Sequence, residues 1–432
     1  MKKAIKITTY TLAGLLLIST SCTKEYSDPS RATEDVVLTT PKGLTGVAVG
    51  LQRTYTSGRT GQLFNTITAN GFVSNELVLL NAGNIPELQL STGGSTIDGT
   101  NSILNQLWTN GNKIVYDADQ VINNAQSLGD KGYASGLIAY SSIFKALALG
   151  NLATFWEQVP SEVGKRDVTF VARVEGYNKA IAAIDNAQAV ISANAISPAF
   201  LSSIPQGIDI PNTLNALKAR YALFAGNYPL ALSAANLVDL TKRSVFNFDA
   251  ISLNPIFEIA TSTNNVFQPI NANLGLTGTL QPDPTDKRIA FYTSLSPTIL
   301  PLVRINGFGA AATTPIPVYL PSEMTLIKAE VYARQPDLNA ALIELNKIVA
   351  KTPASDPFGV GADLPPLVGP LTQEQLLTQI YKHRSIELFM SGLRLEDMRR
   401  LNRPVAERKR NFFPYPFNES DNNVNTPANP AF

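Results

Sequence analysis

Chemistry in this chain has few places to reside. His383 is the only histidine in 432 residues, and Cys22 is the only cysteine. His383 opens the stretch HRSIELFMSGLRLEDMRRLNRP, which also carries the densest run of arginines. Between residues 382 and 410 there are nine Lys or Arg and four Asp or Glu. Carboxylates interleaved with guanidinium groups in this way read as an ion-pair network. A nucleic-acid surface would show an unbalanced basic patch. Arg384 and Glu387 are three residues apart on a helix and are expected to pair, and Arg394 and Asp397 belong to the same network. His383 falls off the apolar stripe and is expected at the surface. No residue pattern presents a nucleophile to an oriented base. Glu76 and Glu87 could be imagined as a glycosidase pair, which needs carboxylates about 5–10 Å apart, but no motif frames them. The reading is a non-enzyme with no cofactor and no metal. A lone cysteine can build neither an internal disulfide nor a metal site.

The elements that must position these groups are mainly helices. Leu104, Leu107, Trp108, Ile114, Val115, Ala118, Ile122 and Ala125 recur at helical spacing, as do Leu137, Tyr140, Phe144, Leu147 and Ala148. Two segments each read as a helix pair, one joined at Gly226-Asn227 and one near Pro336-Asp337. Their small residues, Ala222 with Ala231 and Ala329 with Ala341, allow close crossing. This is similar to tetratricopeptide repeats. Thr372 and Gln375 form a capping-box pattern, so one helix is predicted over 372–391, ended by Gly392. The helical scaffold is placed at 102–240 and 322–403. Residues 56–101 and 246–318, rich in Gly, Asn, Pro and Thr, read as long polar loops, with a third at 352–370. Long loops on a rigid scaffold suit ligand binding. Formal charge is near zero, 35 Lys+Arg against 34 Asp+Glu, which gives no electrostatic case for nucleic acid.

The start of the chain reads as a targeting segment: MKK, the short apolar run YTLAGLLLI, then STSC. Residues 1–21 fit a signal peptide and 22–33 a polar tether. Cys22 lies where the lipobox of bacterial lipoproteins places its lipidated cysteine, although Ser19 stands where leucine is usual. Lys24-Glu25 resembles the surface-export signal of Bacteroidetes lipoproteins.

The segment IYKHRSIELFMSGLRLEDMRR resembles the C-terminal signature of the SusD/RagB family of Bacteroidetes outer-membrane lipoproteins. Ile380, Arg384, Glu387, Leu388, Gly392, Arg394, Asp397 and Arg400 match that signature. His383 and Ser391 stand at usual glutamates, and Met398 replaces a leucine. LWTNGNKIVYDADQVINNA, the segment ending in FWEQVP, PDPTDKR and NFFPYPFNES resemble further family motifs in the same order. The resemblance implies a mostly α, SusD-like fold over 34–432, with tetratricopeptide-like helix pairs and irregular loops on the ligand side. It implies a surface protein, lipid-anchored at the outer membrane, that captures an oligosaccharide without covalent chemistry. The ligand would pass to a SusC-like TonB-dependent barrel. Peptide or glycopeptide capture of the RagB type, or a tetratricopeptide scaffold without a ligand, are the alternatives.

Glycan binders use aromatic faces and amide side chains, which directs attention to the two loops. Asn75, Asn81 and Asn84 come from the first, and Phe267 and Tyr292 from the second. The competing reading for each asparagine is a turn, and for each aromatic the core. Trp108 fits its helical stripe and is expected inside. Trp156 reads either as core or as an exposed ring.

Overall fold

A computed structural model describes residues 34–263, 266–298, 300 and 302–431. Cys22, the signal segment and the tether lie outside the described residues. The scaffold is a succession of antiparallel helix pairs. Ser102–Ala125 packs on Lys131–Phe155, which packs in turn on Arg173–Ala193. Ile210–Phe224 pairs with Tyr228–Asn236, and Pro321–Arg334 pairs with Leu338–Val349. Short polar residues start these helices where their first N–H groups lack partners. Asn101, Asp130, Asp209, Asn227 and Asp337 each accept a backbone N–H through the side chain. Lys131–Phe155 is apolar on nearly every side. It is long and apolar enough to cross a membrane, yet it runs through the protein core, where its residues are almost all buried.

The capping box forms as predicted: Thr372 and Gln375 exchange side-chain and backbone bonds. The helix it starts runs over Gln373–Glu387, shorter than the predicted 372–391. Two residues in left-handed conformation, Met390 at φ 56° and Gly392 at φ 81°, then reverse the chain. Arg394–Arg400 follows as a short helix that folds back on Gln373–Glu387.

The regions expected to be loops carry more structure than their composition suggests. Gln62–Val73 is a helix with every residue buried. A helix enclosed on all sides shows no amphipathic stripe, so periodicity could not reveal it. Ile85–Thr92 is a further helix in the same region. Among the described residues, four two-stranded antiparallel ribbons stitch the remaining segments. One pairs β1 (Leu77–Leu79) with β4 (Phe267–Pro269) and so binds the first loop region to the second. Another is a hairpin of β2 (Gln158–Pro160) and β3 (Phe170–Ala172), the loop between them crossing residues 161–169.

Candidate functional site

The C-terminal arginine cluster is largely buried and paired with carboxylates, although Nη1 and Nη2 of Arg384 have no hydrogen-bond partner among the described residues. Arg384 Nε donates to Asp397 Oδ2 at 3.0 Å, and both side chains are shielded from water. Arg394 lies 3.7 Å from Glu76 and donates to the backbone oxygen of Leu274 at 2.7 Å. Glu387 takes Arg288 at 3.0 Å on one oxygen and Lys351 at 2.5 Å on the other. The expected Arg384–Glu387 pair is therefore not made. The two residues share a helix, but each turns to a partner from elsewhere in the fold. Burial pushes the Asp397 carboxyl up to about 6 against the pull of Arg384. Burial would raise Glu387 too, but Lys351 and Arg288 hold it below the ordinary carboxylate value.

His383 is a correction to the sequence reading. It is 2 % exposed, not a surface residue. Its Nδ1 meets Arg288 Nη2 at 2.9 Å, and because arginine can only donate, the ring nitrogen accepts. Burial, then the positive charges of Arg288 and Lys382, hold its pKa well below the usual imidazole value, so the ring is neutral. Arg288 was missed by sequence reasoning except as the end of PDPTDKR. It is fully buried, bonded to Asp286 through two nitrogens at 2.9 and 2.6 Å as well as to Glu387 and His383.

Among the expected ligand contacts, two are core residues. Phe267 is fully buried against Phe64 and Phe72. Tyr292 is 3 % exposed, and its hydroxyl donates to the backbone oxygen of Glu387 at 2.5 Å. The β1–β4 ribbon and the helix Lys287–Tyr292 turn both rings inward, and Tyr292 lines an internal cavity with Phe308, Phe389 and Leu393. Trp156 is also fully buried, its indole N–H donating to the backbone oxygen of Pro414 at 3.0 Å. Asn75 takes a left-handed conformation, φ 61°, and its amide donates to Glu407 O at 2.9 Å, tying the loop to the C-terminal segment.

Asn81 and Asn84 remain near the surface, on the turn before Ile85–Thr92. Asn81 Oδ1 accepts Gly83 N at 2.9 Å, and Asn84 Nδ2 donates to Asn81 O at 3.1 Å. Beside them the half-exposed guanidinium of Arg59 is ion-paired with Glu87 and lies 3.5 Å from Asn84 Oδ1. Glu87 is fully buried, and its Oε2 has no hydrogen-bond partner among the described residues. Burial raises its pKa, with Arg59 opposing. Arg59 and Asn84, from two segments, bring a guanidinium and an amide together at the surface, and these can bond adjacent hydroxyls of a ligand. Glu76 and Glu87 are each engaged by an arginine, Arg394 and Arg59 respectively. No group of three or more His, Cys, Asp or Glu among the described residues could hold a metal.

No protein-family model and no curated protein matches the chain. Solved structures do. A SusD superfamily protein from Bacteroides thetaiotaomicron VPI-5482 superposes with a TM-score of 0.68 at 15% identity, covering 90% of this chain and 100% of the other. A SusD-like protein from Bacteroides fragilis NCTC 9343 gives 0.67 at 13% identity, covering 93% and 99%. A SusD-like carbohydrate binding protein from Bacteroides vulgatus ATCC 8482 gives 0.64 at 14% identity, covering 87% and 85%.

Proposed function

From the SusD-like fold of this chain, we propose that it is a cell-surface lipoprotein anchored through Cys22, which captures an oligosaccharide and delivers it to a SusC-like TonB-dependent barrel. The observation that carries this reading is the fold itself. It extends over nine-tenths of the chain and nearly the whole length of solved SusD superfamily proteins. Among the similar solved structures are SusD-like carbohydrate binding proteins from Bacteroides vulgatus and Bacteroides fragilis, and the ligand class is brought to this chain from there. The surface patch supports it: Arg59, Asn81 and Asn84 supply hydroxyl-bonding groups without a nucleophile, with Glu87 holding Arg59 from beneath, so the chemistry is non-covalent binding. Shallow polar sites of this kind gain affinity from several modest contacts rather than one strong one.

The test is isothermal titration of the purified chain against oligosaccharide and peptide panels, with Arg59→Ala and Asn84→Ala beside the unmodified protein. An oligosaccharide that binds, weakened in both variants, is the expected result. A peptide that binds while every glycan fails would replace the ligand class. Purification from native membranes is expected to bring down a large TonB-dependent barrel, and Cys22→Ala to release the protein from the membrane fraction. Repeated recovery without a barrel would remove the delivery step.

A further inference from the structure

An open cleft of about 490 Å³ lies on the helical scaffold, between Ser102–Ala125, the β2–β3 loop and Phe417–Asn422. We propose that this cleft is a saccharide-binding site in its own right, distinct from the Arg59–Asn84 patch, and that its ligand is an uncharged oligosaccharide. The inference takes its ligand class from the glycan reading above.

The wall of the cleft carries an aromatic ring in the open. Tyr116 is 40% exposed. The backbone of Gly164 lies against one edge of the ring, where an added Cβ would come within 2.7 Å of Cδ2 and Cε2. Gly164 also sits at φ +79°, so no larger residue fits there without strain. The loop thus braces the ring and leaves the rest of it free. A pyranose presents C–H groups on one face, and a braced, exposed tyrosine is suited to stack with it. Asn112 and Asn422 line the same space; each amide nitrogen donates one hydrogen to a backbone oxygen a turn back, Trp108 O at 3.0 Å and Asn418 O at 2.7 Å, and the exposed Asn422 keeps its second N–H and its Oδ1 for hydroxyls.

The charges select against other ligands. Lys113, Lys165 and Arg166 are matched by Glu162, Asp167 and Glu419. Two of these cations are already tied down, Lys113 to Asp117 and Lys165 to Glu162, each at 2.6 Å. The balanced set gives no net field to draw a phosphate or a polyanion. A peptide would need an apolar pocket to seat an anchoring side chain. The apolar lining here is Tyr116, Pro160, Val163 and Val168, spread over an open surface.

The floor is rigid, which limits the ordering cost of binding. Glu419 accepts the indole N–H of Trp108 at 2.9 Å and the amide of Asn423 at 2.9 Å. Trp108 itself stacks on Phe170, with ring centroids 6.1 Å apart and planes 11° from parallel. A second hollow of about 510 Å³ shares Pro160, Glu162 and Val163 with the first and continues past Asp119 and Ile122. From Asn112 to Ile122 the helix runs roughly 15 Å, the span of a short chain rather than one sugar ring.

Trp108 makes the proposal testable. The only other tryptophan, Trp156, is 4.9 Å from it, so tryptophan emission reports on the ground beneath this cleft. Maltohexaose, cellohexaose, xylohexaose, mannohexaose and laminarihexaose are titrated into the full chain with emission and calorimetry read together. At least one is expected to change the emission. Tyr116→Ala, at an exposed position, is expected to weaken that binding about tenfold. Asn422→Ala should weaken it as well, and Arg59→Ala should leave it unchanged. The cleft assignment is overturned if no hexaose changes the emission, or if Tyr116→Ala and Asn422→Ala bind as the unmodified protein does. Calorimetric binding that is lost only in Arg59→Ala and Asn84→Ala would discard the cleft and keep the glycan reading. Displacement of the emission change by a tripeptide mixture would overturn the ligand class.

Discussion

Replacing Arg288 by methionine exposes how the buried charges are balanced. Arg288 and Lys351 face three carboxylates, Asp286, Glu387 and Asp356. The Arg288 side chain is fully buried, as are those of Asp286 and Glu387. Methionine fills much of the space but leaves three carboxylates around one ammonium group. Removing one partner of a buried pair costs about 3–5 kcal/mol. Unfolding entropy scales with length, and for roughly 400 residues it amounts to about 0.8 kcal/mol per kelvin, so the midpoint should fall by about 4–6 °C. The loss should also depend on pH. Glu387 is held below its ordinary pKa in the folded protein. Its contribution is therefore present above the unfolded value of about 4.3 and disappears as pH falls through the folded one. Without Arg288 that contribution is reduced, and Glu387 takes up a proton more readily. His383, freed from the positive charge next to it, can also protonate and restore a cation beside Asp286. The penalty at pH 5 should thus be smaller than that at pH 7.5. Urea unfolding of both proteins at the two pH values measures this. A penalty under about 1 kcal/mol at pH 7.5, or one that is the same at both, would refute the charge-balance argument.

His383→Gln keeps a neutral acceptor for Arg288 but removes the titrating group. Because burial and Arg288 hold the folded imidazole well below its ordinary value, the unmodified protein should lose up to about 1.4 kcal/mol per pH unit below pH ~6.5 from this residue. The variant should lack that slope between pH 6.5 and 5 in urea midpoints, and equal slopes would show that His383 is not the source. Gly392→Ala forces a Cβ to 2.5 Å from Thr66 Cγ2 at a φ of +81° and should cost about 2 kcal/mol. Adding Thr66→Ser, which removes that methyl, should recover part of the loss in thermal unfolding; no recovery would leave backbone strain as the whole cause. Glu76→Gln should cost only about 1 kcal/mol. Arg394 retains the carbonyls of Leu274 and Ser385 at 2.7 and 3.3 Å, and a loss above about 3 kcal/mol would show that the Glu76 charge itself is needed.

The helix pairs were legible in the sequence because their cause is local. Leu104, Leu107, Trp108 and Ile114 repeat at the helical period, and Asp209, Asn227 and Asp337 stand where helix N-termini need an acceptor. The Thr372–Gln375 box and the left-handed Gly392 are likewise properties of a few neighbouring residues. The order of the C-terminal motifs led to the SusD-like fold. What a residue faces was not legible, since that depends on partners far along the chain. Phe267 lies in a polar-looking loop, yet β1 draws it into the core across nearly two hundred residues. His383 is one position off an apolar stripe, but Arg288 arrives from another segment and takes its nitrogen inside. Arg384 and Glu387 have the spacing to pair, but Asp397 and Arg288 approach closer. The Tyr116 cleft shows the same limit. Its helix reads clearly from periodicity, and a tyrosine on the polar face carries no signal by itself. Only the tertiary structure brings Gly164, Glu419 and Asn422 around that ring, because a cleft is a relation between separate segments rather than a property of any one of them.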